Sequence, residues 1–226
     1  FKLSQLYILD LGILGTIFAI IGGRLFHVFA EEFTYYLQHP SHIYQIWRGG
    51  FVSYGAFIGL GISWIWYLRW RKAKILDYLD HLAVYTCPFV VLFVRIGCLL
   101  AGCCYGTPTK SIFAITFHSG DAGAKHLNIP LHPTQIYEML YALLIYGILL
   151  WLQKRKSYRG ELIIAFVQFY AIFRFFLEFL RGDAERGVYF HNTISTAQIT
   201  GIVAFISASL VGIYLQKRNA ATAYEK

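Results

Sequence analysis

The sequence predicts an all-α bundle of about six membrane-spanning helices, and three observations support this fold class. The chain of 226 residues is 57% hydrophobic and only 14% charged, with a mean hydropathy of +0.51. A soluble domain normally carries about 25% charged residues. Several apolar runs approach the ~20 residues that a spanning helix requires. Lys and Arg gather in short clusters between these runs, as they do in the cytoplasmic loops of membrane proteins.

Six apolar segments are predicted to be the spanning helices, in a single transmembrane domain that covers residues 1–226. Their approximate bounds are 5–29, 51–70, 78–101, 133–153, 160–180 and 194–215. The fourth begins at Pro133, because proline is favoured at the first position of a helix. Residues 102–131 are predicted to be a polar loop without a span, so the elaborations outside the bundle are short.

The basic clusters predict how the chain is oriented in the membrane. Dense clusters occupy residues 69–74, residues 154–159 and the C-terminal region. By the positive-inside rule these connections are cytoplasmic and the other three connections are extracytoplasmic. Helices three and five then both run outward, towards the outer leaflet.

Arg95 and Arg174 each lie about six residues before the outer ends of these two helices. At ~1.5 Å per residue, both guanidinium groups are predicted to lie ~9 Å beneath the outer surface. Arg24, Tyr54 and His132 are predicted to lie in the same layer. An arginine inside the membrane is energetically unfavourable and therefore points to a functional site.

The fifth helix has polar residues on one narrow face. Tyr170, Arg174, Glu178 and Arg181 are spaced i, i+4, i+8 and i+11. Arg174 and Glu178 are predicted to pair. A structural ion pair that braces the bundle is the alternative to a binding site, and it leaves Arg95 without an obvious carboxylate.

The segment 132–138 is the second informative stretch. A helix start explains Pro133 and, as a capping-box residue, Gln135. It does not explain why His132, Tyr137 and Glu138 cluster at the outer layer. His132 is either a proton carrier near neutral pH or a plain interfacial hydrogen-bonding group.

Fixed guanidinium groups in the outer leaflet suit a phosphate, and the bilayer supplies phosphodiesters at this depth. The residues alone therefore predict a lipid-phosphate site, with arginines that could stabilise a leaving phosphate. Nucleic-acid binding is not expected, because the sequence contains no motif for it.

The four cysteines, Cys87, Cys98, Cys103 and Cys104, lack C-x2-C spacing and have no histidine pair at zinc distance, so no metal site is predicted. They are either small packing residues or, for Cys98 with Cys103 or Cys104, partners in a disulfide.

These residues give the chain a resemblance to the bacterial prolipoprotein diacylglyceryl transferase family over nearly its whole length. The matching stretches are Gly22-Gly23-Arg24-Leu25, Trp47-Arg48-Gly49-Gly50 with Gly55 and Gly59, Arg95-Ile96-Gly97 through Gly102 to Gly106, His132 to Glu138, and Tyr170 to Arg174 with Glu178, Phe179 and Arg181. Ile194-Ser195 and Gln198 also resemble the opening of the family's last helix.

The resemblance implies transfer of the diacylglyceryl group of phosphatidylglycerol to the lipobox cysteine thiol of a prolipoprotein signal peptide, with release of glycerol phosphate. It implies no metal and no external cofactor, and it places the chain in the bacterial cytoplasmic (inner) membrane as a multi-pass protein whose site faces the outer leaflet. The expected catalytic residues are Arg95, Arg174, His132 and Tyr54. The expected substrate-binding residues are Arg24, Gly97, Cys98, Gly102, Gly106, Gln135, Tyr137, Glu138, Tyr170, Glu178 and Arg181.

The chain departs from the family pattern at several positions. Tyr54 stands where the family has the histidine proposed as the base, and a phenol of pKa ~10 is a poor base. Cys98 replaces an asparagine, and Cys103 replaces a glutamate. The family's first helix is expected upstream of Phe1. Two other functions stay open: a transferase that uses the same lipid pocket with a different acceptor, and a non-catalytic lipid-binding or transport protein.

Overall fold

The computed structural model of this protein describes residues 4–118, 127–182, 188–189 and 194–224. The chain divides into two compact units, Phe1–Tyr78 and Leu79–Lys226, and the boundary falls within one helix. That the chain forms a single domain stays a prediction.

The described residues form eight α-helices. In chain order these are α1 (Gln5–Phe26), α2 (Phe33–Gln38), α3 (Ser53–Trp70), α4 (Ile75–Tyr85), α5 (Cys87–Leu100), α6 (Thr134–Gln153), α7 (Glu161–Leu177) and α8 (Thr196–Tyr224). A π-helical turn, His27–Glu31, extends α1, and 3-10 turns lie at Pro40–His42, Ile46–Arg48 and Glu178–Leu180. Two short antiparallel strands, β1 (Val188–Tyr189) and β2 (Ile194–Ser195), precede α8.

Glycines let α1 and α3 pack closely in the first unit. A Cβ added at Gly55 would meet the backbone carbonyl oxygen of Gly22, so neither position has room for a side chain. Close approach of helix backbones at small residues is typical of helix pairs in membranes. The Trp64 indole Nε1 donates a hydrogen bond to the Leu11 carbonyl at 2.9 Å. This bond joins α3 to α1 at a second point.

The core of the second unit lies between α4, α6 and α7. On α6, Tyr141, Ile145 and Leu149 are buried at a spacing of four residues, which places them on one face of the helix. The buried side chains that pack together here are Val84, Tyr141, Ile145, Leu149, Leu162, Ala165 and Leu177.

A buried carboxylate anchors the start of α7. Asp80 is fully buried and accepts hydrogen bonds from the backbone amides of Gly160 at 2.8 Å and Leu162 at 2.9 Å. Its Oδ2 lies 2.6 Å from the Lys156 ammonium. A carboxylate is favoured here because the first amides of a helix lack partners within it. Asp80 therefore stabilises one end of the unit, away from the end that Arg95 occupies.

A capping box opens α8. The Ser195 amide donates to the Gln198 side-chain oxygen at 2.9 Å, and the Gln198 amide donates to the Ser195 hydroxyl at 3.2 Å. This reciprocal pair satisfies two amides at the helix start.

The all-α, polytopic fold class is confirmed, with a difference in the number of spans. Among the described residues, four helices are long and apolar enough to cross a membrane: Gln5–Ala30, Thr134–Gln153, Glu161–Leu180 and Thr196–Ala220. The bent pair α4 and α5 makes a fifth. Six spans were expected; α3 is not among the candidates, and its glycines, tyrosines and tryptophans give it a lower hydropathy than a span of leucine and isoleucine.

The third predicted helix is not continuous. It breaks between Tyr85 and Cys87, and α4 and α5 meet at an angle of 41°. Pro88 explains the break, because proline has no amide hydrogen to donate to the carbonyl of Val84 and its ring clashes with that carbonyl. The helix that carries Arg95 therefore begins anew at Cys87.

Candidate functional site

Backbone hydrogen bonds join three chain segments at one end of the second unit. The Gly106 amide donates to the His132 carbonyl at 2.9 Å, and the Thr107 amide donates to the Leu180 carbonyl at 2.9 Å. A Cβ at Gly106 would lie 2.5 Å from the His132 Cβ, so only glycine fits here. These bonds bring together the end of α5, the start of α6 and the end of α7.

Glu138 is the centre of the polar cluster at this end. Its side chain is fully buried, and its Oε2 lies 2.6 Å from the Arg95 Nε. The Tyr141 hydroxyl donates to the same oxygen at 3.1 Å, and the Arg181 Nη1 lies 3.7 Å from Oε1. Arg95 therefore has a carboxylate partner, contrary to the sequence interpretation. The partner lies on a neighbouring helix, where spacing along one helix does not reveal it.

The predicted pair of Arg174 and Glu178 is confirmed. The two side chains form an ion pair, and the Glu178 side chain is 2% exposed. Beyond Leu177 the helix tightens into a 3-10 turn, and Arg181 has an extended backbone. The common helical face therefore ends before Arg181, which reaches Glu138 from the segment after the helix.

Arg95 and Arg174 each contact a buried carboxylate and are partly exposed. Their side chains are 14% and 15% exposed. The Arg95 Nη1 contacts the Cys98 sulfur at 3.8 Å, whereas its Nη2 donates to none of the described residues. The Arg174 Nε and Nη2 likewise donate to none of them. Spare guanidinium donors are suited to an anionic oxygen.

Two tyrosines connect the arginine pairs. Tyr141 and Tyr170 have ring centroids 5.9 Å apart, and the Tyr141 hydroxyl also donates to Glu138, the partner of Arg95. Among the described residues of this cluster, Arg95 and Arg181 contact Glu138, and Arg174 pairs with Glu178. The sequence analysis missed Tyr141; its spacing of three residues from Glu138 was the available signal.

Two buried side chains at the start of α6 hold the loop that follows α5. The Thr134 hydroxyl donates to the Cys104 carbonyl at 2.6 Å, and the Gln135 amide donates to the Cys103 carbonyl at 2.6 Å. Gln135 was expected to cap its own helix; the described contact is instead with this loop. The helix begins at Thr134, one residue after the predicted start at Pro133.

Three cysteines converge in this loop. The sulfur atoms of Cys98, Cys103 and Cys104 lie within 4.8 Å of one another, and no disulfide joins cysteines of the described residues. Burial raises the pKa of the Cys103 thiol above its ordinary value, so this thiol is protonated at neutral pH. Cys103 and Cys104 were not among the predicted site residues, because their spacing matches no metal motif.

The remaining predicted residues of this unit lie around the same end. His132 is half-buried, and its Nδ1 lies 3.3 Å from the Tyr137 hydroxyl. Gly97 is exposed and has open space where a Cβ would stand, beside Arg95 and Cys98. Gly102 has φ of +64°, which favours glycine and turns the chain at the end of α5. Their roles in binding or catalysis stay predictions.

Arg24 belongs to the first unit, where it is 5% exposed. A guanidinium has five N–H donors, and all five of those on Arg24 bind backbone carbonyls. The acceptors are Ile43 at 3.0 Å, Gly49, Gly50 at 3.2 Å, His42 at 2.6 Å and Gln45 at 3.4 Å. Arg24 therefore holds the connection between α2 and α3 in place, and its predicted contact with substrate stays a prediction. The side chain of Tyr54, in the first turn of α3, lies outside the described part of the structure.

Comparison with known proteins identifies the family. The model of the prolipoprotein diacylglyceryl transferase family matches residues 2–214. The chain belongs to this family. Among similar proteins, the phosphatidylglycerol–prolipoprotein diacylglyceryl transferase of Clostridium tetani is 34% identical over 92% of this chain and 79% of its own length. A second such enzyme, from Clostridium perfringens, is 36% identical over 88% of this chain and 75% of its own length.

A third relative, from Mannheimia succiniciproducens, is 29% identical over 89% of this chain and 73% of its own length. All three relatives are diacylglyceryl transferases by name. The family match and the candidate spans together establish a multi-pass membrane protein of a transferase family.

Proposed function

We propose that this protein transfers the diacylglyceryl group of phosphatidylglycerol to the lipobox cysteine thiol of a prolipoprotein and releases glycerol phosphate. One observation carries the proposal: Arg95 and Arg174 each bind a buried carboxylate, are partly exposed, and have N–H donors with no acceptor among the residues that the structure describes. Membership of the family supports the choice of reaction.

The two arginines bind the phosphodiester of the lipid. A guanidinium presents planar, fixed donors that match phosphate oxygens. Glu138 and Glu178 keep both groups oriented before the lipid arrives, so little reorganisation is needed on binding.

The reaction breaks the bond between the glyceryl carbon and the phosphate oxygen. The thiolate sulfur attacks that carbon, the new carbon–sulfur bond forms, and the electron pair of the broken bond leaves with the phosphate. Negative charge therefore grows on the phosphate in the transition state. Arg95 and Arg174 stabilise that charge, which lowers the barrier.

The acceptor thiol must lose its proton before or during the attack. His132 is our candidate for the base, because it lies at the same end of the unit as Arg95 and its Nδ1 lies 3.3 Å from the Tyr137 hydroxyl. Tyr54 is the alternative, since it occupies the position of the family's histidine.

The test uses the purified full chain in mixed micelles with phosphatidylglycerol and a peptide that carries a lipobox cysteine. We expect release of glycerol phosphate and a peptide whose mass increases by one diacylglyceryl group. A peptide with serine in place of the cysteine serves as the control and should not be modified. Lipid turnover without peptide modification would indicate a different acceptor, and tight lipid binding without turnover would indicate a non-catalytic protein.

We also propose that the chain lies in the bacterial cytoplasmic (inner) membrane with this site at the outer leaflet. Ile112 lies in the loop at the site end, and Lys154 follows α6 at the opposite end; both are exposed. In intact cells, a membrane-impermeant maleimide should label Ile112→Cys and leave Lys154→Cys unlabelled, with the parent chain as the background control. The reverse pattern would place the site in the cytoplasm.

A further inference from the structure

The three-cysteine cluster is built by the backbone. The Cys103 amide donates to the Cys98 carbonyl at 3.0 Å, which folds the loop back over the last turn of α5. Gly102 and Cys104 both have left-handed backbones, with φ of +64° and +62°. These turns bring Cys103 and Cys104 to the same place as Cys98, so that three sulfurs meet although they span seven residues of sequence.

The position of Cys104 is strained and held in place. A left-handed backbone at a residue other than glycine is uncommon and costs about 1–3 kcal/mol. Thr134 and Gln135, both fully buried, fix the carbonyls of Cys104 and Cys103 from α6. The loop therefore maintains a strained conformation that directs thiols towards one another, without a disulfide to enforce it.

The donor set and its size suit one thiophilic cation. Zinc–sulfur bonds of about 2.3 Å place the ligand sulfurs about 3.8 to 4 Å apart. The sulfurs of Cys98, Cys103 and Cys104 already lie within 4.8 Å, so small side-chain rotations close the remaining gap. Thiolates without harder ligands favour zinc and copper(I) over magnesium or calcium.

The charge of the surroundings also suits such a site. Three thiolates and one zinc ion carry a net charge of −1. The Arg95 Nη1 lies 3.8 Å from the Cys98 sulfur. This cation offsets the excess negative charge of the occupied site.

We propose that Cys98, Cys103 and Cys104 bind one zinc ion through three thiolates and leave its fourth position open. Three protein ligands with an open position are typical of catalytic rather than structural zinc sites. The role of the open position rests on the proposed function: it binds the sulfur of the acceptor cysteine beside Arg95.

The bound acceptor thiol then becomes the nucleophile. A thiol that coordinates zinc is deprotonated, and its proton passes to a base, which we propose above to be His132. The zinc-held sulfur forms the bond to the glyceryl carbon, the carbon–oxygen bond to phosphate breaks, and the thioether product dissociates from the ion. The metal keeps its oxidation state, so no oxidant or reductant is required.

The site is tested by metal binding to the reduced, purified full chain. We expect one zinc ion per chain by elemental analysis. Cobalt(II) substitution should give the intense thiolate-to-metal charge-transfer absorption of a sulfur-ligated site. Cys98→Ser, Cys103→Ser and Cys104→Ser should each weaken metal binding at least about tenfold.

Cys87 provides the matched control. It lies at the first turn of α5, eleven residues before Cys98, so Cys87→Ala should bind metal as the parent chain does. Thermal unfolding of each variant shows whether weaker metal binding comes from the missing sulfur or from loss of the fold. Absence of metal after full reduction, or metal retained by folded Cys98→Ser and Cys104→Ser, would overturn the site.

The role of the zinc ion in the reaction is tested separately from its binding. The lipobox peptide should change the cobalt(II) spectrum, and its serine counterpart should not. If the spectrum does not respond while peptide modification proceeds in metal-free protein, the role of the metal is wrong and the proposed transferase function stands. If zinc binds but no glycerol phosphate is released with or without it, the proposed function fails and the metal site stands.

Discussion

Two kinds of arginine lie in the apolar helices that the structure describes, and they differ in how their N–H donors are used. Arg24, in the first unit, gives all five donors to backbone carbonyls. Arg95 and Arg174, in the second unit, each bind a buried carboxylate and have donors without an acceptor in the described part of the chain. The apolar sequence around all three looks similar, yet only Arg95 and Arg174 have N–H donors without an acceptor among the described residues.

The difference shows that burial of an arginine in an apolar segment is not sufficient evidence for a ligand site. Carbonyls can satisfy a guanidinium completely, and the side chain then stabilises the fold. A carboxylate that binds one edge of a guanidinium neutralises its charge and fixes its orientation. The other edge of the guanidinium stays open. Spare donors are therefore the better criterion for a binding site.

The largest expected effect comes from removing an arginine with spare donors. Arg95→Ala and Arg174→Ala should each lower glycerol phosphate release about 10³-fold or more, because the growing charge on the phosphate loses a stabilising partner. The exposed Arg155, which stacks on Trp151, provides the control, and Arg155→Ala should retain turnover. Full turnover of either site variant would remove that arginine from the mechanism.

The carboxylate behind Arg95 should contribute mainly to stability. Glu138→Gln leaves Arg95 and Arg181 without their buried anion, so we expect the free energy of unfolding to fall by about 3 kcal/mol. Chemical unfolding in mixed micelles measures this. Glu161→Gln removes a carboxylate from a more exposed helix start and should cost less than about 1 kcal/mol. Equal losses in the two variants would argue against Glu138 as the centre of the cluster.

Arg24→Lys tests the arginine that binds backbone carbonyls. Lysine has three donors in place of five and cannot reach the same set of carbonyls. We expect the free energy of unfolding to fall by about 2 kcal/mol, since some carbonyls lose their partner. Turnover of the folded fraction should fall far less than in Arg95→Lys, measured in the same assay. If turnover of folded Arg24→Lys fell as far as that of Arg95→Lys, Arg24 would contact the substrate after all.

The sequence predicted the helical class, most helix positions and the pairing of Arg174 with Glu178, because these follow from local periodicity. It did not predict the partner of Arg95, since Glu138 is far away in sequence and only helix packing brings the two together. The break at Tyr85 could have been predicted from Pro88, whose effect on a helix is local.

The cysteine cluster shows a different limit of sequence analysis. The spacing of Cys98, Cys103 and Cys104 fits no metal motif, because their convergence depends on two left-handed backbones at Gly102 and Cys104. Such conformations are common at glycine but are not expected at a cysteine. The buried hydrogen bonds from α6 that hold this loop are long-range, so a motif search does not reveal them.

The smallest expected effect comes from adding a methyl group at Gly106, where three chain segments meet, and Gly147 serves as the control. Gly106→Ala would place a Cβ 2.5 Å from the His132 Cβ and 2.7 Å from the Leu180 carbonyl, so the start of α6 and the end of α7 must move apart. We expect a loss of about 1 to 2 kcal/mol in stability and lower turnover, because the arginines shift relative to one another. Gly147, inside α6, has open space, and Gly147→Ala should be neutral or stabilise by up to about 1 kcal/mol. If Gly106→Ala kept full turnover and stability, the backbone bonds between these segments would not be what positions Arg95 and Arg174.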